Sequence, residues 1–299
     1  MIPRVIHYCW FGRNPLPESA VKCIDSWKKH FPDYQIKEWN EDNFDVNIIP
    51  YTKDAYLAKK YTFVSDYARF WIIYRFGGIY FDVDVEVIKP MDDLLEKGPI
   101  WAFEIDGVGG KKSSLAGGLC LASEKDNPFY GKILEEYLNM SFYDEAGKIS
   151  SFTMNPLITR IFLEKGLKGG GAIEVIDGNF FYPAEYFNPL ESTTGRLRKT
   201  ANTRSIHWYL ASWLPPQPKW KKFLRHLYHR IFGVRQTFLF SEKTFNRLGD
   251  KVDLVFLKAG VHRKAEDVVC EELRTVERVF RFRIEIFPLE GDAPERRLL

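Results

Sequence analysis

Residues 65–85 read SDYARFWIIYRFGGIYFDVDV, and their pattern decides the fold. Apolar positions recur at helical spacing through residues 55–76, and Gly77-Gly78 supplies a C-terminal stop. The spacing predicts one amphipathic helix over Ala55–Phe76, then a short strand at Ile79-Tyr80-Phe81. Asp82-Val83-Asp84 falls at the carboxyl end of that strand. Open α/β sheets bind ligands beyond the carboxyl ends of their strands. The acidic pair therefore sits where such a fold concentrates its chemistry.

The flanking sequence extends this α/β reading. Arg4–Trp10 reads as a buried opening strand, broken by Gly12, Pro15 and Pro17. Glu18–His30 reads as a helix, because Ala20, Val21, Ile24, Trp27 and Phe31 keep helical spacing and Pro32 ends it. Tyr34–Trp39 is a second strand, and a strand–helix–strand opening marks parallel pairing. Downstream, Ile100–Glu104, Ala172–Ile176, Asn179–Tyr182 and Ser205–Trp208 read as strands. Asn127–Asn139 and Ser151–Lys165 read as helices, and Gly166–Gly171 is a glycine-rich break. Pro215, Pro216 and Pro218 mark a boundary. The expected organisation is one domain over 1–214 and a C-terminal extension over 215–299.

Composition narrows the function classes. With 45% hydrophobic and 28% charged residues, the 299-residue chain is neither disordered nor fibrous. Its net charge of +3 is unevenly placed. Between Glu191 and Glu242 stand ten basic residues and no acidic one; the remaining 33 basic and 40 acidic residues leave −7. An acidic body with one basic segment argues against nucleic-acid binding. That segment, 219–235, mixes six Lys/Arg with Trp220, Phe223 and Phe232. It reads either as an amphipathic helix on an anionic membrane or as a helix packed on the domain with a solvated basic face.

Cys9, Cys23, Cys120 and Cys270 show no zinc or redox spacing, so reduced thiols in a cytoplasmic protein are expected. The opening MIPRVIHYCWFG is too short and polar for a secretion signal. The apolar run Phe63–Phe81 carries Asp66, Arg69 and Arg75, so no membrane span is expected.

Two aspartates one residue apart on an extended segment point the same way. Two hard carboxylates on one face suit Mg²⁺ or Mn²⁺, which would neutralise a departing diphosphate. Asp66 and Arg69 are three apart and share a helix face, as either a surface ion pair or a polar clamp for a hydroxylated substrate. His7 reads as structural.

These motifs together resemble glycosyltransferase family 32. The run at 65–85 is similar to the family's sugar-binding region. IPRVIHYCWFG at 2–12 is similar to its opening strand, and HWYLASW at 207–213 to its closing pattern. The resemblance implies a GT-A-like, Rossmann-type nucleotide-sugar-binding domain with a mostly parallel sheet. By the same resemblance, Trp10 would stack on the donor base, and Asp66 and Arg69 would bind hydroxyls of the donor sugar. Asp82 would contact sugar and ribose, with Tyr80 beside it in the donor site. Asp84 would ligate the metal, and His207 would be a second metal or diphosphate ligand. Ser212 and Trp213 would hold the diphosphate, and Asn155 would lie in a polar turn near the donor sugar.

The expected activity is metal-dependent transfer of a hexose from a nucleoside diphosphate sugar to an acceptor hydroxyl. By the resemblance the reaction retains anomeric configuration, with a saccharide or lipid-linked acceptor in surface polysaccharide or glycolipid synthesis. Such an enzyme would work in the cytoplasm, at the inner face of the membrane. No residue stands out as a general base; Gly117-Gly118 reads as a flexible loop that lets an acceptor approach. Two other classes stay open: a nucleotide-sugar or carbohydrate binding protein without turnover, and a metal-dependent phosphohydrolase.

Overall fold

A computed structural model of the chain describes residues 1–110, 112–150, 153–169, 171–210 and 226. The elements run β1 (Val5–Cys9), α1 (Glu18–His30), β2 (Gln35–Trp39), α2 (Pro50–Leu57), α3 (Tyr61–Phe76), β3 (Gly78–Tyr80), β4 (Val85–Val87), α4 (Asp92–Leu95) and β5 (Ile100–Ile105). They continue with β6 (Ser114–Leu115), β7 (Leu121–Ser123), α5 (Pro128–Leu138), α6 (Met154–Glu164), β8 (Glu174–Ile176), β9 (Asn179–Tyr182), α7 (Ala184–Phe187), β10 (Leu190–Glu191), β11 (Arg196–Leu197) and β12 (Ser205–His207).

The main sheet has the order β2-β1-β3-β7-β5-β9-β8, with β6 paired to β5. β1 is parallel to β2 and β3, and β5 is parallel to β9. β7 runs antiparallel to both β3 and β5, and β8 antiparallel to β9. Strands β2, β1, β3, β5 and β9 consequently point one way, and their carboxyl ends share one edge. The α/β class and the mostly parallel sheet hold.

Strand alternation sorts the core into two layers. On β5, Trp101 and Phe103 face the cluster built with Val64 and Phe70 of α3, Tyr130 of α5 and Ile158 of α6. Ile100 and Ala102 face the other cluster, with Ile24 and Trp27 of α1, Leu94 of α4 and Phe187 of α7. Helices thus cover both faces, and the strand ends at the edges are left for loops. The apolar spacing of Glu18–His30 is realised except at Val21, which is exposed: Ala20, Cys23, Ile24 and Trp27 are the buried face. Asn127 caps α5 by accepting the Phe129 N–H at 3.1 Å, with Pro128 in the first turn.

The single helix expected over Ala55–Phe76 is two. α2 ends at Leu57, and Lys59 adopts φ 56°, in the left-handed region. The Lys60 N–H reaches back to the Ala55 carbonyl at 2.8 Å, a Schellman-type closure. Leu57, Ala58, Lys59 and Lys60 are all good helix formers, so local propensity carries no sign of this stop. The Gly77 stop is as read: its φ is 65° and its N–H meets the Ile73 carbonyl at 2.9 Å. The sequence reading contains neither β4 nor β7, and β7 lies between β3 and β5 at the middle of the sheet.

His7 is structural. Its Nδ1 accepts the Trp39 indole N–H and its Nε2 donates to the Gly77 carbonyl, both at 3.0 Å. Burial lowers its pKa to about 4, which keeps the ring neutral. Cys9, Cys23 and Cys120 are free and buried. Among the described residues, no helix is long and apolar enough to cross a membrane. Cys270, the boundary expected at 214/215, and the basic segment 219–235 apart from His226 lie outside the described residues.

Candidate functional site

The acidic pair lies beyond the carboxyl end of β3, but not on extended backbone. Asp82–Val85 closes as a turn, with the Val85 N–H donating to the Asp82 carbonyl at 3.0 Å. The carboxylates converge through this turn rather than by strand alternation, which corrects the expectation. The chain then returns as β4, which pairs antiparallel with β12 so that His207 stands opposite Val85. That register brings His207 Nε2 to 3.0 Å from Asp84 Oδ1. One donor atom from each of Asp82, Asp84 and His207 lies within 4.8 Å of the others.

The electrostatics of this trio are mutual. Burial pushes the Asp84 carboxyl up, but the hydrogen bond and charge of His207, with the Leu210 N–H at 3.0 Å, hold it below the usual carboxylate range. Burial pulls the His207 imidazole down, and Asp84 outweighs it, so its pKa is raised. His207 Nδ1 is buried with no hydrogen-bond partner among the described residues. Two hard carboxylates and an imidazole form a donor set that fits a divalent ion such as Mn²⁺ or Mg²⁺.

Behind the trio lies a charged network anchored on α3. Arg69 is only 2% exposed. Its Nη2 lies 2.9 Å from Asp66 Oδ1 and 3.3 Å from Asp82 Oδ1, its Nη1 3.3 Å from Asp82 Oδ2, and its Nε donates to the Ser65 carbonyl at 3.1 Å. Burial opposes the guanidinium charge, and Asp82, Tyr80 and Asp66 together override it, raising its pKa. Burial pushes the Asp66 carboxyl up to about 6, even against the pull of Arg69. Tyr80 is buried and donates its hydroxyl to Asp82 Oδ1 at 3.0 Å. Tyr80 and Arg69 thus bear on a ligand through the carboxylates they hold.

Gly118 completes this support. The Asp82 N–H donates to the Gly118 carbonyl at 3.0 Å, and a Cβ at 118 would collide with the Asp82 carboxylate and meet Arg69 Nη1 at 3.0 Å. The residue expected to admit an acceptor instead lets Asp82 lie close against the backbone. Its doublet marked it as a loop glycine; only the fold shows what it faces.

Trp10 stands just past the carboxyl end of β1, next to β3 in the sheet, and is half-buried. Its indole N–H donates to the Asn14 carbonyl at 2.6 Å, and its side chain packs against the core cluster that holds Ile6, Tyr8 and Trp27. Asn155, near the start of α6, donates to Glu104 Oε2 at 3.1 Å. Glu104 is a site residue the sequence reading does not contain. Its Oε1 accepts the Tyr209 hydroxyl at 3.2 Å, and Tyr209 sets its ring edge-on to His207 with centroids 4.2 Å apart. The available signal was its place at the carboxyl end of a strand readable as Ile100–Glu104. Ser212 and Trp213 lie outside the described residues.

Comparison with known proteins falls on the same region. Residues 17–101 match the family described as "Glycosyltransferase sugar-binding region containing DXD motif". The chain is similar to inositol phosphoceramide mannosyltransferase 1 of Schizosaccharomyces pombe, at 33% identity over 107 residues, which is 32% of each protein. It is similar to mannosyl phosphorylinositol ceramide synthase CSH1 of Saccharomyces cerevisiae, at 32% over 104 residues, or 32% of this chain and 26% of that one. An uncharacterized glycosyltransferase, L373, of Acanthamoeba polyphaga mimivirus is 24% identical over 200 residues, or 63% of this chain and 76% of it. The matches span about a third of the length of the first curated relatives. A solved structure titled PaToxG glycosyltransferase aligns with a TM-score of 0.38 at 20% identity, covering 46% of this chain and 61% of that one.

Proposed function

We propose that this chain, whose residues 17–101 carry the DXD-containing sugar-binding region of glycosyltransferases, is a metal-dependent hexosyltransferase. It moves a hexose from a nucleoside diphosphate sugar to the hydroxyl of a saccharide or glycolipid acceptor, with retention of anomeric configuration. One observation carries this reading: Asp82, Asp84 and His207 converge at the carboxyl edge of the sheet, backed by a buried Arg69 that ties Asp82 to Asp66.

Asp82, Asp84 and His207 would hold the ion. Bound there, a divalent cation compensates the charge that grows on the departing diphosphate. The protein's own part is positioning. Arg69 and Tyr80 fix the Asp82 carboxylate from below, so it meets a ligand without reorganising. Asp66, partly exposed, offers an acceptor to sugar hydroxyls. The Trp10 ring offers a stacking face for the base. Ser212 and Trp213 follow β12 closely and are the proposed diphosphate donors.

Curated relatives named mannosyltransferases that act on inositol phosphoceramide support GDP-mannose as the first donor to test and a glycolipid as the acceptor class. Action in the cytoplasm at the inner membrane face is the accompanying proposal, supported by the six Lys/Arg of 219–235. Sedimentation with and without anionic liposomes tests that part: pelleting only with the anionic lipid supports it, and pelleting with neither overturns it. The test of the activity is release of nucleoside diphosphate from GDP-mannose, UDP-glucose and UDP-galactose, with Mn²⁺ and with EDTA.

A further inference from the structure

Around Glu104 the structure gathers hydrogen-bond acceptors that have no donor. Glu104 lies at the carboxyl end of β5 and accepts one hydrogen bond on each oxygen, from Tyr209 and from Asn155. Each carboxylate oxygen can accept another. Asn155 spends its amide N–H on Glu104, and its Oδ1 is buried with no partner among the described residues. Asn188 is 9% exposed and donates its amide N–H to the Glu104 backbone carbonyl at 3.0 Å, and its Oδ1 is likewise buried and unpartnered. Leaving such buried atoms unsatisfied is costly. Both amide oxygens are closed to solvent, but Glu104 is half-buried, so a ligand rich in hydroxyl donors, such as a polyol, can use its free acceptor positions.

The sheet order says which polyol. Along the carboxyl edge, Trp10 follows β1, the acidic pair follows β3, and Glu104 ends β5, with only the oppositely directed β7 between β3 and β5. At strand spacing, Glu104 stands roughly 10 Å from the acidic pair's strand, on the side away from Trp10. A donor laid from Trp10 to Asp82 and Asp84 has Asp66 at its sugar, with Arg69 buried behind it. Glu104 is then left for the molecule that arrives from the other side. Tyr209 couples the two halves, its hydroxyl on Glu104 and its ring against His207.

We propose that Glu104, with Asn155 and Asn188, forms the subsite that binds hydroxyls of the acceptor. This rests on the transferase reading for the word acceptor; the hydroxyl-binding site itself stands on the free acceptor positions of Glu104, which Asn155 and Asn188 hold in place. Glu104→Gln puts an N–H donor where a sugar hydroxyl needs an acceptor. Asn155→Ala removes one unpaired oxygen and leaves Glu104 on Tyr209.

Saturation-transfer NMR on the full chain tests the subsite, with methyl α-D-mannopyranoside, methyl β-D-galactopyranoside and myo-inositol as probes. Spectra are taken with diamagnetic Mg²⁺ and GDP or UDP, and nucleotide affinity is titrated in parallel. The expected result is a probe signal on the wild type that falls roughly fivefold or more in both variants. Nucleotide affinity should stay within about threefold, which also shows that the variants are folded. Probe binding unchanged in both variants, or absent from the wild type, overturns the subsite. If nucleotide binds in that case, the transferase reading survives without it. Probe binding that depends on Glu104 in a protein binding no nucleotide keeps the subsite and sinks the transferase reading instead.

Discussion

His207 Nε2 lies 3.0 Å from Asp84 Oδ1, a contact created by the antiparallel register of β12 on β4. Each group favours the charged state of the other, so without metal His207 holds its proton to a higher pH than an ordinary histidine. A metal must displace that proton. Mn²⁺ affinity should therefore fall as pH drops through the raised His207 pKa. In the metal-free protein the stabilisation from this pair is fully present below the ordinary histidine pKa of 6.5 and is lost as pH rises through the raised value. Titration of Mn²⁺ from pH 5.5 to 8 checks this, and Asp84→Asn should lower affinity at every pH.

Asp66 also loses stability as pH rises, but because burial penalises its charged form. Its carboxyl is raised from 3.8 to about 6, chiefly by burial. The folded state holds that proton more tightly than the unfolded chain, so Asp66 costs stability progressively as pH rises from about 4 to 6. The cost is on the order of 3 kcal/mol above that window. Asp66→Asn should flatten the profile, and unfolding at pH 4.5 and 7 will show it. Donor binding needs the ionised form, so it should weaken below pH 6 in the native protein.

Arg69 is the charge that the buried network cannot lose. Arg69→Ala leaves Asp66 and Asp82 facing each other without their cation, and removing one partner of a buried pair costs about 3–5 kcal/mol. Arg69→Lys supplies a point charge rather than a fork and should recover stability without recovering donor affinity. Denaturant midpoints and nucleotide titrations separate the two effects.

Gly118→Ala is a one-methyl test of the site's geometry. The new Cβ would push on the Asp82 carboxylate rather than on the core. Mn²⁺-dependent nucleotide affinity should fall about tenfold or more, with stability within about 2 kcal/mol of the parent. Unchanged affinity would show that Asp82 does not need this seat.

Much of this was legible in the sequence, for physical reasons that also explain the gaps. Glu18–His30 and Asn179–Tyr182 were placed to the residue because amphipathic spacing and turn residues bound them clearly. The break at Lys59 was invisible because its residues favour the helix they interrupt. β4 and β7 are three residues each, too short for periodicity to register, yet β7 joins the halves of the sheet and β4 positions His207. Asp82, Asp84, Asp66 and Arg69 stood out through spacing along one run. Glu104, Asn188 and Gly118 act through neighbours distant in sequence; a strand end marks Glu104 and a doublet marks Gly118, but no local pattern names the partners they face.

The central claim is turnover of a nucleotide sugar at the Asp82–Asp84–His207 site. The most direct measurement is nucleoside diphosphate release from GDP-mannose, UDP-glucose and UDP-galactose with Mn²⁺, on the native chain and on Asp84→Ala. One donor should be consumed, EDTA should stop its consumption, and Asp84→Ala should lower the rate at least about a hundredfold. A folded native chain that consumes none of the donors, or an Asp84→Ala variant as active as the parent, would contradict it.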